Sequence, residues 1–525
     1  SNRALCLKAL GRLSEAEAEL RAAVALAPGY TDAWVNLGNV LRQTGRPADA
    51  ANAFAHAQAS APGRVDVAAS LWWVRREACD WRDADALERR LVDAVAGAAG
   101  AVPPEVLPFA ALALPLGPRE LRGLAAAHAG AAARAARTLC PGARPAKAAK
   151  GARPERLVVG YASADFHDHA TSHLIAGLVE AHDRRRFAVR LYSYGRADES
   201  AWRRRLVAAA DAFVDVAPLA LCDVAARIRA DGVHLLVDLK GYTAGGRPEL
   251  FALRPAPVVV NYLGYPGTMG SSCYDAYVTD AICSPPGSEA HFAERLVRLP
   301  HCYQPNDRAQ PVAADTPARD ACGLPPEGFV YCCFNQTYKI DPALFDVWMR
   351  ILARVPGSVL WLFRSYAEAE TNLRREAQAR GVVPERLVFA DRLPKAEHLA
   401  RHRHADLFLD TLRVNAHTTA SDALWAGLPL LTCPGETFQS RVAASLLHAA
   451  GLPQLAVADL ASYEETAVRL ATEPGALASL RQQLAAGRLS CALFDTERYA
   501  RDLEAAYDAL WEARGDSARA PIDLR

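Results

Sequence analysis

Leu407-Phe-Leu-Asp410-Thr-Leu-Arg-Val-Asn415-Ala-His417-Thr-Thr-Ala-Ser-Asp422 runs from a short apolar strand into the start of a helix, Ala423-Leu-Trp-Ala-Gly427. A strand of that length feeding a helix through a turn is the building unit of an open α/β sheet, whose ligands sit outside the carboxyl ends of the strands. At such a turn, successive backbone N–H groups and the positive end of the helix dipole both favour anionic oxygen. His417, Thr418 and Thr419 add an imidazole and two hydroxyls, a set that suits a diphosphate, and Asp422 one turn on can accept hydrogen bonds from ribose hydroxyls. A Thr or Asp N-cap explains one hydroxyl but not His-Thr-Thr together.

Residues 329–334, 359–363, 387–389, 407–410 and 429–431 read as one set of buried strands, and 157–162, 189–194, 234–239, 258–263 and 276–279 as another. Alternating with longer amphipathic stretches, they predict two doubly wound parallel sheets with the active site in the cleft between them. No G-x-G-x-x-G follows a strand and no G-x-x-x-x-G-K-[ST] occurs, so dehydrogenase and nucleoside-triphosphatase readings lose their main support. Phe334-Asn-Gln336-Thr-Tyr-Lys339-Ile-Asp341 places an amide and an ammonium near the His-Thr-Thr turn. Lys339 can neutralise charge developing on a leaving phosphate. Pro394-Lys395-Ala-Glu-His398-Leu-Ala-Arg401 offers an imidazole to stack on a base and two cations for ribose and base oxygens, although a surface helix fits it too.

In the first half, Ala164-Asp-Phe-His167-Asp-His169-Ala-Thr-Ser-His173 leaves the carboxyl end of strand 157–162. His169 and His173 have helical i,i+4 spacing but lack a Glu or Cys ligand cluster, so a base or orienting role is expected there rather than a metal. His234 is a second candidate base, at a position that a core histidine also fits. Asn261-Tyr-Leu-Gly264-Tyr-Pro266-Gly-Thr-Met-Gly270 forms a tight loop that can approach a sugar closely.

Ahead of both halves, Gly11-Arg12 recurs as Gly45-Arg46, Ala27-Pro-Gly29 as Ala61-Pro-Gly63 and Asp32 as Asp66, always 34 residues on. With Trp34-x-x-Leu37-Gly38-x-x-Leu41, this resembles the tetratricopeptide helix-turn-helix unit, a solenoid that presents grooves to peptides or proteins. Residues 1–66 are assigned to these repeats, 67–153 to a helical adaptor and Pro/Gly/basic linker (141–154), 154–320 to the first α/β half, and 321–525 to the second half with a C-terminal helix. Asp83-Ala-Asp85 has a metal-binding spacing used by some sugar transferases, but its helical setting reads as solvated surface. The 525 residues carry a net charge of +1, which excludes a bulk basic field for nucleic acid. No apolar run of 18 residues suggests a membrane span. The twelve cysteines lack a C-x-x-C pair and are expected as buried thiols of a reducing cytoplasm. The start, Ser1-Asn2-Arg3, has neither an initiator Met nor a signal layout and reads as trimmed.

The order of motifs resembles the protein O-linked N-acetylglucosamine transferase family. After the repeats come Gly160-Tyr-Ala-Ser-Ala-Asp-Phe166, His169-Ala-Thr-Ser-His173, Gly241-Tyr-Thr243, Phe251-Ala-Leu-Arg-Pro-Ala-Pro257 and Leu263-Gly-Tyr-Pro-Gly-Thr268. The second half continues with Phe334-Asn-Gln-x-Tyr-Lys-Ile-Asp341, Asp410-Thr411, His417-Thr-Thr419, Pro434-Gly-Glu-Thr437 and Ser440-Arg-Val-Ala-Ala-Ser445. The resemblance implies an α-solenoid followed by a GT-B fold of two Rossmann-like domains. It also implies inverting transfer of N-acetylglucosamine from UDP-N-acetylglucosamine to Ser or Thr hydroxyls of proteins, with no metal and no other cofactor. By motif, Lys339 and Gln336 would contact the diphosphate, His417, Thr418 and Thr419 cradle the phosphates, Asp422 and Lys395 hold ribose, and His398 and Arg401 hold uracil. Gly264 and Pro266 would line the sugar pocket, and His169 would sit beside the attacking hydroxyl. Partners would be the donor and a protein or peptide acceptor, with no nucleic acid and no membrane. Animal members carry a long insert between the halves where this chain has about twenty residues, 303–323, and they carry many more repeats. The short form and the Ala/Arg-rich composition look bacterial. A glucose donor or an asparagine acceptor, or a repeat scaffold with an inactive core, are the alternatives.

Overall fold

Apolar side chains at four-residue steps build the front end. Leu13–Leu26 buries Ala16, Leu20 and Val24, and Thr31–Gln43 buries Ala33, Leu37 and Leu41, each a single stripe along one helix face. The computed structural model describes residues 2–97, 105–146, 153–516 and 518–524. In it, helices Asn2–Ala9, Leu13–Leu26, Thr31–Gln43, Pro47–Ser60 and Val65–Glu77 follow one another, and the starts at 13 and 47, and at 31 and 65, keep the 34-residue step. Gly38 permits the close packing: a Cβ there would stand 2.7 Å from the Phe54 ring. Helices Ala84–Ala96 and Pro118–Leu139 lead toward the first sheet. Of the linker 141–154, residues 147–152 lie outside the described residues.

The first sheet holds β1 (Leu157–Ser163), β2 (Phe187–Ser193), β3 (Ala212–Asp215), β4 (Leu235–Asp238), β5 (Val258–Asn261), β6 (Ala276–Asp280) and β7 (Arg295–Leu299). The second holds β8 (Val330–Cys333), β9 (Val359–Phe363), β10 (Leu387–Ala390), β11 (Leu407–Leu409) and β12 (Leu430–Leu431). The last strand, β13 (Ile522–Asp523), returns to pair with β7. The orders are β13-β7-β6-β5-β4-β1-β2-β3 and β10-β9-β8-β11-β12, and every pairing is parallel. This is the GT-B arrangement of two Rossmann-like sheets. Strand order reverses between β1 and β4 in the first sheet and between β8 and β11 in the second, and those switch points are where the crevices open.

Pleating decides what each sheet face meets. Leu235 and Val237 of β4 join a core that extends continuously into the second half, whereas Leu236 between them joins the core shared with the front end. The C-terminal helix Thr496–Glu512, grouped with the second half on sequence, packs on the first. Its Tyr507 hydroxyl lies 2.9 Å from that of Tyr161, its Glu504 accepts from the Asp183 amide at 2.8 Å, and its Tyr499 hydroxyl lies 2.6 Å from that of Tyr262. The end of the chain thus returns from the second half to the first.

The expectation of free thiols needs one correction. Cys140, at the end of helix Pro118–Leu139, is disulfide-bonded to Cys222 in helix Leu221–Ala230, with Cα atoms 5.5 Å apart across a separation of 82 residues. Local spacing cannot show such a pair, because the packing of two helix ends creates it. Cys79, Cys283, Cys302, Cys332 and Cys333 are free and buried. Among the described residues no helix is long and apolar enough to cross a membrane.

Candidate active site

The β8–β11 pairing sets the second-half site. β8 exits into Asn335, Gln336 and the 3-10 turn Thr337–Lys339, while β11 exits through Asp410 into the loop that ends at helix Thr418–Trp425. Because the strands are neighbours, the two exits meet. Lys339 Nζ donates to the Asn415 carbonyl at 2.7 Å, Thr419 Oγ1 donates to Asn335 Oδ1, and Asn335 Nδ2 donates to Thr411 Oγ1 at 2.8 Å. Gln336 is exposed beside them, its carbonyl accepting the Lys339 amide at 3.0 Å. His417 N-caps the helix by position, and its Nε2 lies 3.2 Å from the Gln439 carbonyl.

Burial governs the charges. Desolvation pushes Lys339 down to about 8 despite the attraction of Asp410, and pushes His417 down to about 3 with help from Lys339. Asp410, fully buried beneath the turn, is pushed up to about 7 by the same cause. Its Oδ1 accepts the amides of Thr411 and Ala416 at 2.7 and 2.6 Å, and its Oδ2 accepts the Thr432 hydroxyl at 2.7 Å. Any anion bound here would raise the pKa of Lys339 and His417 alike.

Lys395 and Asp422 are brought together, Nζ donating to Oδ1 at 2.5 Å with both side chains largely buried. His398 and Arg401 flank Phe334 at the β8 exit. The His398 ring centroid lies 5.3 Å from that of Phe334 and the Arg401 guanidinium lies 4.8 Å over the Phe334 ring. Arg401 is turned inward, 2% exposed, with Nη1 donating to the Asp391 carbonyl, whereas His398 remains partly open.

At the first-half switch point the β1 exit carries Asp165 and His169, and the β4 exit carries Lys240. Lys240 and Asp165 are buried and paired, Nζ donating to Oδ2 at 2.7 Å, and His169 Nδ1 lies 3.5 Å from the same oxygen. Sequence reasoning missed Lys240. The available signal was its position just before Gly241-Tyr-Thr243, past a strand end. His169 N-caps helix Ala170–Ala181, its Nδ1 accepting the Thr171 amide at 3.1 Å. Burial pushes it down to about 4, so at neutral pH it is uncharged and carries its proton on Nε2. It therefore offers the cleft an N–H donor that can orient an oxygen. His173, with Nε2 2.7 Å from Asp168 Oδ1, feels the charges of both Lys395 and Asp422 across the cleft.

His234 does not join this group. It precedes β4 at the opposite, amino-terminal edge, where Nδ1 accepts the Val158 amide at 2.9 Å and the ring meets Trp511 edge-on. The ring is half-buried there, in a structural position away from both strand exits. Gly264 and Pro266 lie in the loop after β5. A Cβ on Gly264 would come 2.0 Å from the Leu239 carbonyl oxygen, so at this residue the loop packs backbone to backbone on the β4 exit. Pro266 faces Thr437 and Phe438 of the second half across a small cavity. A larger cavity of about 610 Å³, walled by Trp72, Trp73, Phe109, Tyr242, Gln336 and Tyr338, opens between the front end and the cleft. Asp83 is 77% exposed at a helix start, and the described residues hold no group of three or more His, Cys, Asp or Glu placed to bind a metal.

Two facing switch points, one carrying a lysine beside a helix N-terminus and the other a neutral histidine, form the crevice of a GT-B fold. The family model described as glycosyl transferase family 41 matches residues 78–316 and 310–503, and a tetratricopeptide repeat model matches 7–71. The chain belongs to glycosyl transferase family 41. It is 40% identical over 420 residues to the Arabidopsis thaliana protein named as a probable UDP-N-acetylglucosamine–peptide N-acetylglucosaminyltransferase, SEC, covering 78% of this chain and 43% of that one. It is 31% identical over 561 residues to the Caenorhabditis elegans UDP-N-acetylglucosamine–peptide N-acetylglucosaminyltransferase, covering 85% and 49%. The chain thus spans less than half the length of these curated relatives. A solved mutant of Thermobaculum terrenum O-GlcNAc transferase superposes with a TM-score of 0.80 at 30% identity, covering 98% of this chain and 97% of that one.

Proposed function

We propose that this chain transfers N-acetylglucosamine from UDP-N-acetylglucosamine to Ser or Thr hydroxyls of proteins, with inversion at the sugar carbon and without a divalent metal. The observation that carries this reading is Lys339, held by the Asn415 carbonyl beside the N-terminus of helix Thr418–Trp425 at a topological switch point. The acceptor oxygen bonds to the anomeric carbon as the bond from that carbon to the diphosphate breaks. The electron pair leaves with UDP, and the acceptor hydroxyl's proton passes to an oxygen of the departing diphosphate. Charge grows on the departing diphosphate, where the Lys339 ammonium and the helix amides meet it. Two carboxylates at the site are already occupied by the protein itself: Asp422 by Lys395 and Asp410 by amides and the Thr432 hydroxyl. His169 orients an oxygen through Nε2–H, and the front-end cavity next to Gln336 admits the acceptor chain.

Calorimetry with UDP in EDTA is expected to show binding, and UDP release with acceptor peptide is expected to be fastest with UDP-N-acetylglucosamine. A metal requirement, or turnover with UDP-glucose alone, overturns the reading. Lys339 must be protonated to act, so kcat/KM for the donor should stay level at neutral pH and fall above pH about 8, where the free protein's Lys339 loses its proton. Because bound diphosphate raises that pKa, kcat should fall only at higher pH. A rate profile that rises through this range contradicts a lysine cation as the active form.

A further inference from the structure

Helix Val65–Glu77 ends directly on the turn that carries Lys339. Arg76 Nε donates to the Tyr338 carbonyl at 2.5 Å, Thr337 Oγ1 donates to the Glu77 carbonyl at 2.6 Å, and the Trp73 and Tyr338 rings pack with centroids 4.9 Å apart. The Tyr338–Lys339 peptide is a rigid plane, and both its polar groups are held: its C=O by Arg76 and its N–H by the Gln336 carbonyl. With the next peptide also held, the Ile340 amide donating to the Thr337 carbonyl at 3.0 Å, both planes flanking the Lys339 Cα are set, and with them the direction in which its side chain leaves the backbone.

The same arginine reaches the other half of the site. Arg76 is 5% exposed, a cation taken out of water, and its Nη1 lies 3.1 Å from Glu88 Oε1. Glu88 also accepts Arg413 Nη1 at 2.8 Å, and Arg413 lies in the loop between Asp410 and His417. Front-end residues thus grip both segments whose meeting, Lys339 on the Asn415 carbonyl, makes the candidate diphosphate site. A plain domain contact would satisfy its polar groups anywhere along the interface. Here a buried guanidinium is spent on the one peptide that aims the lysine.

We propose that Arg76 is a positioning residue for Lys339, which makes the repeat-bearing front end a working part of the transfer site as well as a surface for acceptors. This inference rests on the transferase reading. The test compares Arg76→Met, Arg76→Lys and Glu88→Gln with the native chain, counting UDP-binding sites by calorimetry so that misfolded protein is excluded from every rate. In Arg76→Met, kcat per UDP-binding site is expected to fall by about 10- to 100-fold, the size that a misplacement of about 1 Å produces, with acceptor KM little changed. Arg76→Lys should recover most of that loss, because an ammonium can reach the same carbonyl. Glu88→Gln, which removes the charge and one acceptor from the bridge between Arg76 and Arg413, should show a smaller loss.

Arg76→Met at the native kcat per site overturns the inference; if that variant does not fold, an unchanged kcat in Glu88→Gln does so. The second readout needs no turnover. UDP affinity of the native chain should weaken above pH about 8 as Lys339 loses its proton, and this dependence should flatten in Arg76→Met. An identical dependence in both overturns positioning. A native chain that binds UDP with this pH dependence but transfers nothing sinks the transferase reading and leaves the positioning of Lys339 standing.

Discussion

Lys339→Met is expected to lower sugar transfer by about 10²- to 10³-fold, the loss that follows removal of a single donor aimed at developing transition-state charge. The effect falls on kcat more than on acceptor KM, since the ammonium meets a charge that grows only as the sugar–diphosphate bond breaks. Folding should not suffer. Burial already pushes the ammonium down to about 8, which means the native state holds this cation against its solvation preference, and a methionine of similar length removes that penalty, which offsets the loss of the donor at the Asn415 carbonyl. The signature is therefore an inactive variant with an unchanged or raised Tm, read by initial rates and thermal melting. Transfer within about threefold of native would falsify the assignment of Lys339 to the leaving group, since even one neutral donor at such a position is worth more.

Local chemistry made part of this molecule legible. The 34-residue identities gave the period that the helix starts at 31 and 65 keep, and the run from Leu407 to Asp422 placed a helix N-terminus after a strand exit, where helix Thr418–Trp425 begins. Both depend on patterns within one repeat unit or one strand–helix junction, where burial and capping leave a trace in contiguous sequence. What escaped was made by distance in sequence. Asp165 meets Lys240 75 residues away, and Arg76 meets Tyr338 262 residues away. Neither partner carries a local mark, because a lysine or arginine in a helix or loop reads as solvated until a second element covers it. β13 escaped for a different reason: two residues have no periodicity, and Ile522–Asp523 is a strand only because β7 offers an open edge. His234 shows the opposite error. A histidine at a strand start resembles a catalytic group until the register with Val158 places it at the sheet's inactive edge.

Asp410 separates the two substitutions that remove its charge. Asp410→Ala leaves the Thr411 and Ala416 amides and the Thr432 hydroxyl without an acceptor in a sealed interior, at about 1–3 kcal/mol each and roughly 3–5 kcal/mol together. The loop to Thr418 should then lose its shape, and UDP binding with it. Asp410→Asn keeps an oxygen toward both amides and can turn its amide to the Thr432 oxygen, so it should fold and bind UDP. Its pH dependence is the sharper test. Native Asp410 titrates near 7 against an ordinary 3.8, so between those values the folded state binds more protons than the unfolded chain, and stability falls as pH rises through that window. Asparagine has no such proton. In urea titrations the variant should therefore gain on the native chain from pH 4 to 7, and parallel curves would refute a buried, proton-retaining Asp410. The lysine responds in the other direction. Asp410 is the largest attraction holding the Lys339 pKa up against burial, so without its charge that pKa drops further, and the fall of kcat/KM in Asp410→Asn should begin below pH about 8.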